Sequence, residues 1–399
     1  MKRVFQSILG YIKKSDMILW ILILGISYYC YLLLHSVSSQ TETSYDRTQL
    51  FAIAIGIGGA VILSLMDYAG IANVWYLVAV FCLFLMIYTS IFADEVLGAG
   101  GVRAKAWIEI GGRTFQSSEL VKIGFLITAS KHLDVLKKQG LIDHPLHVLL
   151  LLGHAMVPFM LCHIQGDDGA GIVFFVMFLC MAFSAGIKLR YFVILFFLVI
   201  LAVPILWNFV LNEYQILRFT AVYNLDDPSV MSNEGYQQYN ARISIASGQF
   251  SGQGLNHGRR VSTQAVTFQH SDFIFSVAGE ELGFLGCVGI IVLLLLLMFK
   301  ILHTARHARD DLGKYICFGY FGLIAIQSIV NIGMCLALLP VMGVTLPFFS
   351  AGGSSAMCLY LGVGLLQSVY SHRKESDGTH LNRNSPIRLN YKMMHRLPK

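Results

Sequence analysis

Charge is the scarcest thing in this chain. Only 13% of its 399 residues are Asp, Glu, Lys or Arg, while 56% are hydrophobic and the mean hydropathy is +0.64. Soluble globular domains carry about a quarter charged residues. The shortage excludes a soluble fold and puts the chain in a bilayer, at a length that suits one polytopic domain. Cysteine pairing is missing too. Cys30, Cys82, Cys162, Cys180, Cys287, Cys317, Cys335 and Cys358 all lie in or beside apolar runs, with no CxxC spacing and no histidine partner pattern. They read as small core residues, which excludes a disulfide scaffold and a Cys/His metal site. The net charge of +6 is spread over loops and tails without a basic, aromatic-interleaved patch, so no nucleic acid partner is expected. No small-residue cleavage site follows the first apolar run, residues 17–34, so a cleavable signal peptide is not expected either.

Long apolar runs are what the chain has in place of charge. A helix needs about 20 apolar residues to cross the hydrocarbon core. Ten stretches qualify, near 17–36, 49–67, 71–93, 117–136, 145–163, 169–187, 191–211, 273–300, 314–339 and 350–370. The sequence therefore predicts an all-α polytopic integral membrane protein. Its parts are a cytoplasmic N-terminal segment over 1–16, a transmembrane domain over 17–372 and a basic cytoplasmic tail over 373–399. Lys2, Arg3, Lys13 and Lys14 hold the N-terminus inside, and Lys137, Lys138, Lys188, Arg190, Arg306, Arg309 and Lys314 fall on the same side. That is a positive-inside pattern. The outer side nevertheless carries Arg103, Lys105, Arg113, Arg218, Arg242, Arg259 and Arg260, as expected of a face that handles an anion. The one long polar stretch, 211–272, is external by this count. Its aromatics and the turn glycines Gly248, Gly252, Gly254 and Gly258 predict an ordered cap. No internal repeat suggests an inverted-repeat transporter.

Ionisable groups near lipid are costly to desolvate and mark function. Four clusters stand out at the outer boundary. In Phe115-Gln116-Ser117-Ser118-Glu119, followed by Lys122, the last two charges share a helical face three residues apart. They either neutralise each other or line a polar pocket. Gln165-Gly166-Asp167-Asp168-Gly169 offers acids that either cap a helix or face a central cavity. Repulsion between the two adjacent acids raises one of their pKa values. Asp272, with Glu280 and Glu281 after it, opens a long apolar run and is either an N-cap or a reactive carboxylate. Asn331-Ile332-Gly333-Met334, then Leu346-Pro347-Phe348-Phe349-Ser350-Ala351-Gly352-Gly353-Ser354-Ser355, suggest a broken helix beside a cavity, or close helix packing.

In family order, these clusters resemble the SEDS family (shape, elongation, division and sporulation; the RodA/FtsW/SpoVE type). The matches are Trp107-Ile108, the Phe115 to Lys122 cluster, Gln165 with Asp167 and Gly169, Gly252 with Gly254, His270 with 272–275 and 279–283, and 331–334 with 346–355. The wording of 346–355 and the short tails lean toward the rod-shape branch. The resemblance implies a peptidoglycan glycosyltransferase in the bacterial cytoplasmic membrane, polymerising lipid II at the outer face beside a class B penicillin-binding protein. Carried over by motif, Asp272 is the catalytic residue. Glu119, Lys122, Asp167, Lys105, Arg242, Glu280 and Ser350 bind or support substrate.

The chemistry expected is a single inversion. A base takes the proton of the acceptor 4-hydroxyl as it attacks C1 of the donor sugar. The departing pyrophosphate needs positive charge, from Lys122, Arg242, Lys105 or Arg103. No metal-ligand cage is visible, so any magnesium or manganese ion would come without a dedicated site. Two other functions use the same cavity: a lipid II translocase, and a non-catalytic scaffold for the penicillin-binding protein.

Overall fold

The computed structural model describes residues 10–373, apart from 98–102, 210, 212, 226 and 234. Lys2, Arg3, the tail beyond 373 and the side chains of Arg103 and Arg113 lie outside the described residues.

The chain is helical nearly throughout. In order come α1 (Met17–Thr41), α2 (Tyr45–Leu65), the short α3 (Tyr68–Asn73) and α4 (Trp75–Phe92). Two small antiparallel hairpins follow, β1 (Val96–Leu97) with β2 (Arg103–Ala104) and β3 (Trp107–Ile110) with β4 (Arg113–Gln116). Next are α5 (Ser117–Lys138), α6 (Pro145–Ile164), α7 (Asp168–Ala185) and α8 (Leu189–Phe209). The polar stretch holds α9 (Glu213–Ala221), α10 (Pro228–Ser232), α11 (Tyr236–Ser247) and α12 (Arg259–Ser262). The chain closes with α13 (Ile274–Arg306), α14 (Asp311–Cys335) and α15 (Gly353–Ser371).

Eight of these helices are long and apolar enough to cross a membrane. The sequence predicts ten spans, and the remaining two are α5 and α15. Both are interior helices, with 16 of 22 and 14 of 19 residues buried. A helix wrapped largely by other helices meets little lipid and can carry polar side chains. That is why α5 holds Glu119, Lys122 and Asp134 where an outer helix holds leucine. Helix α15 lies along α2, where glycines admit its bulk: a methyl group on Gly56 would stand 2.9 Å from Tyr360 Cβ. At one end of the bundle Asp16 binds three helices together. Its Oδ1 caps α1 by accepting from Leu19 N at 3.2 Å, its Oδ2 pairs with Lys300 Nζ at 2.7 Å, and its backbone exchanges hydrogen bonds with the Gln367 amide.

Helix α13 breaks at Gly283, whose φ of 66° and ψ of −158° lie outside any helix. The segment before α12 fills the break. Gln253 N and Gly254 N donate to the carbonyls of Glu280 and Glu281, and Phe284 N and Leu285 N donate to those of Gln249 and Phe250. The broken helical ladder is thus completed by the loop, as buried backbone groups require. Two carboxylates add to the clasp. Glu280 Oε1 accepts from Arg260 N at 2.6 Å, and Glu281 Oε1 accepts from Ser36 Oγ and Gln40 Nε2, both at 2.6 Å. Gly252 has φ +80°, and a Cβ there would lie 2.1 Å from the Glu281 carbonyl oxygen. Gly252→Ala therefore has to push the loop off α13. Strain of about 1–3 kcal/mol predicts clearly faster limited proteolysis between residues 249 and 258, with the rest of the bundle cut at the parent rate.

Candidate active site

Helix α5 starts directly after β4, and this junction brings charge inside. Glu119 Oε1 and Lys122 Nζ meet at 2.8 Å, with side chains 6% and 2% exposed. An unpaired ammonium at that depth would be prohibitive, so the pair forms because each charge needs the other. Asp167 serves both functions open to it. Its Oδ1 caps α7 by accepting from Ala170 N at 3.1 Å, and its Oδ2 accepts from Gln116 Nε2 at 2.7 Å and Ser118 Oγ at 3.5 Å. Burial holds the Asp167 carboxyl above the ordinary range. The neighbouring acid is not the cause expected from sequence. Asp168 turns to His163 Nδ1 at 2.6 Å and Gln215 Nε2 at 3.2 Å.

Asp272 sits two residues before α13 and is 8% exposed. It is not a cap; its backbone is fastened instead. Asn331 Nδ2 donates to the Asp272 carbonyl at 2.7 Å and to the Val344 carbonyl at 2.7 Å. Ser350 Oγ donates to the Ser271 carbonyl at 2.6 Å while accepting from Leu346 N at 2.8 Å. His270 is stacked flat on Tyr45, ring centroids 3.9 Å apart. Burial pushes the Asp272 carboxyl up to about 7, with the charge of Asp167 adding and the Ser271 hydroxyl opposing. Burial and a like charge both disfavour ionisation, which tunes a carboxyl for proton transfer near neutrality.

Glu119, Lys122 and Asp167 line one crevice together with Gln116, Gln327 and Gly343. Asp272 stands at its margin: a methyl group on Gly343 (φ +63°) would lie 3.9 Å from Asp272 Oδ2. The crevice is narrow, at about 10 Å³, about one water's worth. Residues 343–345 form part of its wall, so the central cavity expected from sequence has little room here.

The other predicted site residues lie elsewhere. Lys105 is exposed, 3.8 Å from Glu95, and its N–H donates to the Gln165 carbonyl. Arg242 is exposed on α11. Glu280 is inside α13, fully buried on the backbone of Arg260. Ser350 positions the Asp272 turn. Four residues of the site went unassigned from sequence: Gln116, Gln327, Asn331 and Gly343. Gln116 and Asn331 stood within matched motifs, so their signal was present. Gln327 lies mid-helix in α14, and its buried Oε1 has no donor among the described residues, which suits a hydroxyl or amide brought by a ligand.

A buried carboxylate thus stands at the margin of a crevice that holds a lysine and two further acids, at one end of a helical bundle. Comparisons with known proteins place the chain in a family. The FtsW/RodA/SpoVE family model, described as "Cell cycle protein", matches residues 16–375. The peptidoglycan glycosyltransferase MrdB of Escherichia coli K12 is 30% identical over 368 residues, covering 90% of this chain and 94% of that protein. A probable peptidoglycan glycosyltransferase FtsW of Geobacter sulfurreducens is also 30% identical, covering 91% and 97%. Among solved structures, a chain of a peptidoglycan synthase complex that coordinates polymerization and crosslinking superimposes with a TM-score of 0.78, at 26% identity over 91% of this chain and 99% of that one. The rod shape determining protein RodA of Thermus thermophilus shares the fold, with a TM-score of 0.65 at 24% identity. The chain belongs to the FtsW/RodA/SpoVE family.

Proposed function

We propose that this protein is a peptidoglycan glycosyltransferase that polymerises lipid II at the outer face of the bacterial cytoplasmic membrane. Both termini lie in the cytoplasm, and a class B penicillin-binding protein is its partner. The observation that carries the reading is Asp272 held at the margin of the crevice of Glu119, Lys122 and Asp167, with a carboxyl tuned to about 7. In the step, the acceptor 4-hydroxyl forms the new bond to C1 of the donor sugar as its proton passes to the Asp272 carboxylate. The bond from C1 to the pyrophosphate oxygen breaks, and undecaprenyl pyrophosphate leaves with both electrons. The α-linked donor becomes a β-1,4 link. Lys122 faces the departing anion, and Glu119 holds the ammonium in place. Among the described residues no three His, Cys, Asp or Glu side chains cluster as metal ligands. Sensitivity of chain growth to chelators tests for a divalent ion carried in by the pyrophosphate.

The sign of the pH dependence follows from the site. A base works when deprotonated, so polymerisation gains rate as the pH rises through about 7. Asp167→Asn removes the like charge that raises Asp272, and its acidic limb moves to lower pH. A pH–rate profile of reconstituted chain growth checks both; a limb that stays in place in the variant removes Asp272 as the titrating group.

A further inference from the structure

A second hollow lies away from the Asp272 end. A groove of about 460 Å³ runs between α4, α5 and α6, and it is lined almost wholly by apolar side chains such as Cys82, Phe125, Leu150 and Val157. Its size falls in the range of about 300–1,000 Å³ typical of small-molecule sites. The polar groups on its wall are gathered along one stretch: Thr128, Lys131, His132 and His154. Lys131 follows Glu119 on α5 by 12 residues, roughly 18 Å along the helix axis. The groove's polar end is therefore separate from the Asp272 crevice, and it faces the side assigned above to the cytoplasm.

Lys131 and His132 keep hydrogen-bonding capacity that the protein's own contacts leave open. Lys131 Nζ donates to Asn73 Oδ1 at 3.1 Å, which uses one of the three donors of an ammonium. His154 is held between Thr128 Oγ1 at Nε2 and His132 Nδ1 at Nδ1, each 3.2 Å away. Among the described residues no partner meets His132 Nε2. Gly153 supplies an independent sign. Glycines in membrane helices usually admit a neighbouring helix, and Gly124 does so against Cys82. A Cβ on Gly153 meets nothing within 4 Å. Its missing side chain makes room in the groove rather than in the protein's own packing.

We propose that this groove binds one anionic phospholipid of the cytoplasmic leaflet. The phosphate lies against Lys131 and His132, and an acyl chain runs along the groove past Gly153. A phosphate complements the Lys131 ammonium, and a hydrocarbon chain complements a wall with almost no other polar surface. Lipid II is not the occupant, because its pyrophosphate belongs at the opposite end of α5.

The test uses the full-length protein, purified and given phosphatidylglycerol or phosphatidylcholine with identical acyl chains, with bound lipids counted by native mass spectrometry. Phosphatidylglycerol is retained preferentially by the parent. Lys131→Gln lowers that preference about tenfold, the worth of one charge-assisted hydrogen bond. Gly153→Leu fills the groove and removes both lipid adducts, while its melting temperature is unchanged or higher, since leucine is the better helix former. Equal retention of the two lipids by the parent overturns the headgroup assignment. Parent-like lipid retention by Gly153→Leu overturns the site, as does a Gly153→Leu protein that keeps its lipid but loses a partner subunit, which would make the groove a helix-docking surface.

Discussion

Asp272→Asn stops chain growth from lipid II while leaving the purified protein folded. The loss expected is at least about 10² to 10⁴ in rate, the contribution of a positioned general base. Asparagine keeps the size of the side chain, and the hydrogen bonds that fix this turn come from the backbone carbonyls of Ser271 and Asp272 rather than from the carboxylate. Removing a buried acid with no cationic partner of its own also removes a desolvation cost, so thermal stability holds or rises. This separates catalysis from structure. A folded variant that still polymerises lipid II at the parent rate refutes the base assignment, with or without the penicillin-binding partner. Such a result returns the scaffold and translocase readings to first place.

Lys122→Ala has the other large effect, and it falls on both stability and activity. Leaving Glu119 buried and unpaired costs about 3–5 kcal/mol, so the single variant expresses poorly or melts many degrees lower. The paired variant Glu119→Gln/Lys122→Met is the informative one. It leaves no uncompensated charge, and double replacement of a buried pair is often near neutral. Folding returns and polymerisation does not, if Lys122 faces the leaving pyrophosphate. Activity recovered along with folding would reduce the pair to a structural bridge. The measurement is the melting temperature and the chain-growth rate of the same preparations.

Much of this architecture could be read from residue order, for identifiable reasons. Apolar runs mark helices wherever lipid or core surrounds them on all sides, so every long helix was placed within a few residues. Glu119 and Lys122 were expected on one helical face, and they meet there. Three features were hidden. The break at Gly283 looks like any glycine in an apolar run, because what decides it is a loop some thirty residues earlier that donates to one flank and accepts from the other. For the same reason Glu280 looked like a boundary acid; the broken helix lets backbone donors reach it deep inside. The β3–β4 hairpin did leave a signal. Gly111-Gly112, both at positive φ, is a turn pair flanked by β-prone residues, a signal that a search for apolar spans passes over. The narrowness of the crevice has no sequence signature, since it depends on where residues 343–345 rest.

The two bonds from Asn331 tie one wall of the crevice to the Asp272 turn. One side-chain amide grips both the peptide that carries the carboxylate and the Val344 peptide within the 343–345 wall segment. Swinging that segment aside must either tear one of the two bonds or drag the carboxylate with it. Wall and carboxylate therefore hang from the same pin, and a displacement of either is felt by the other.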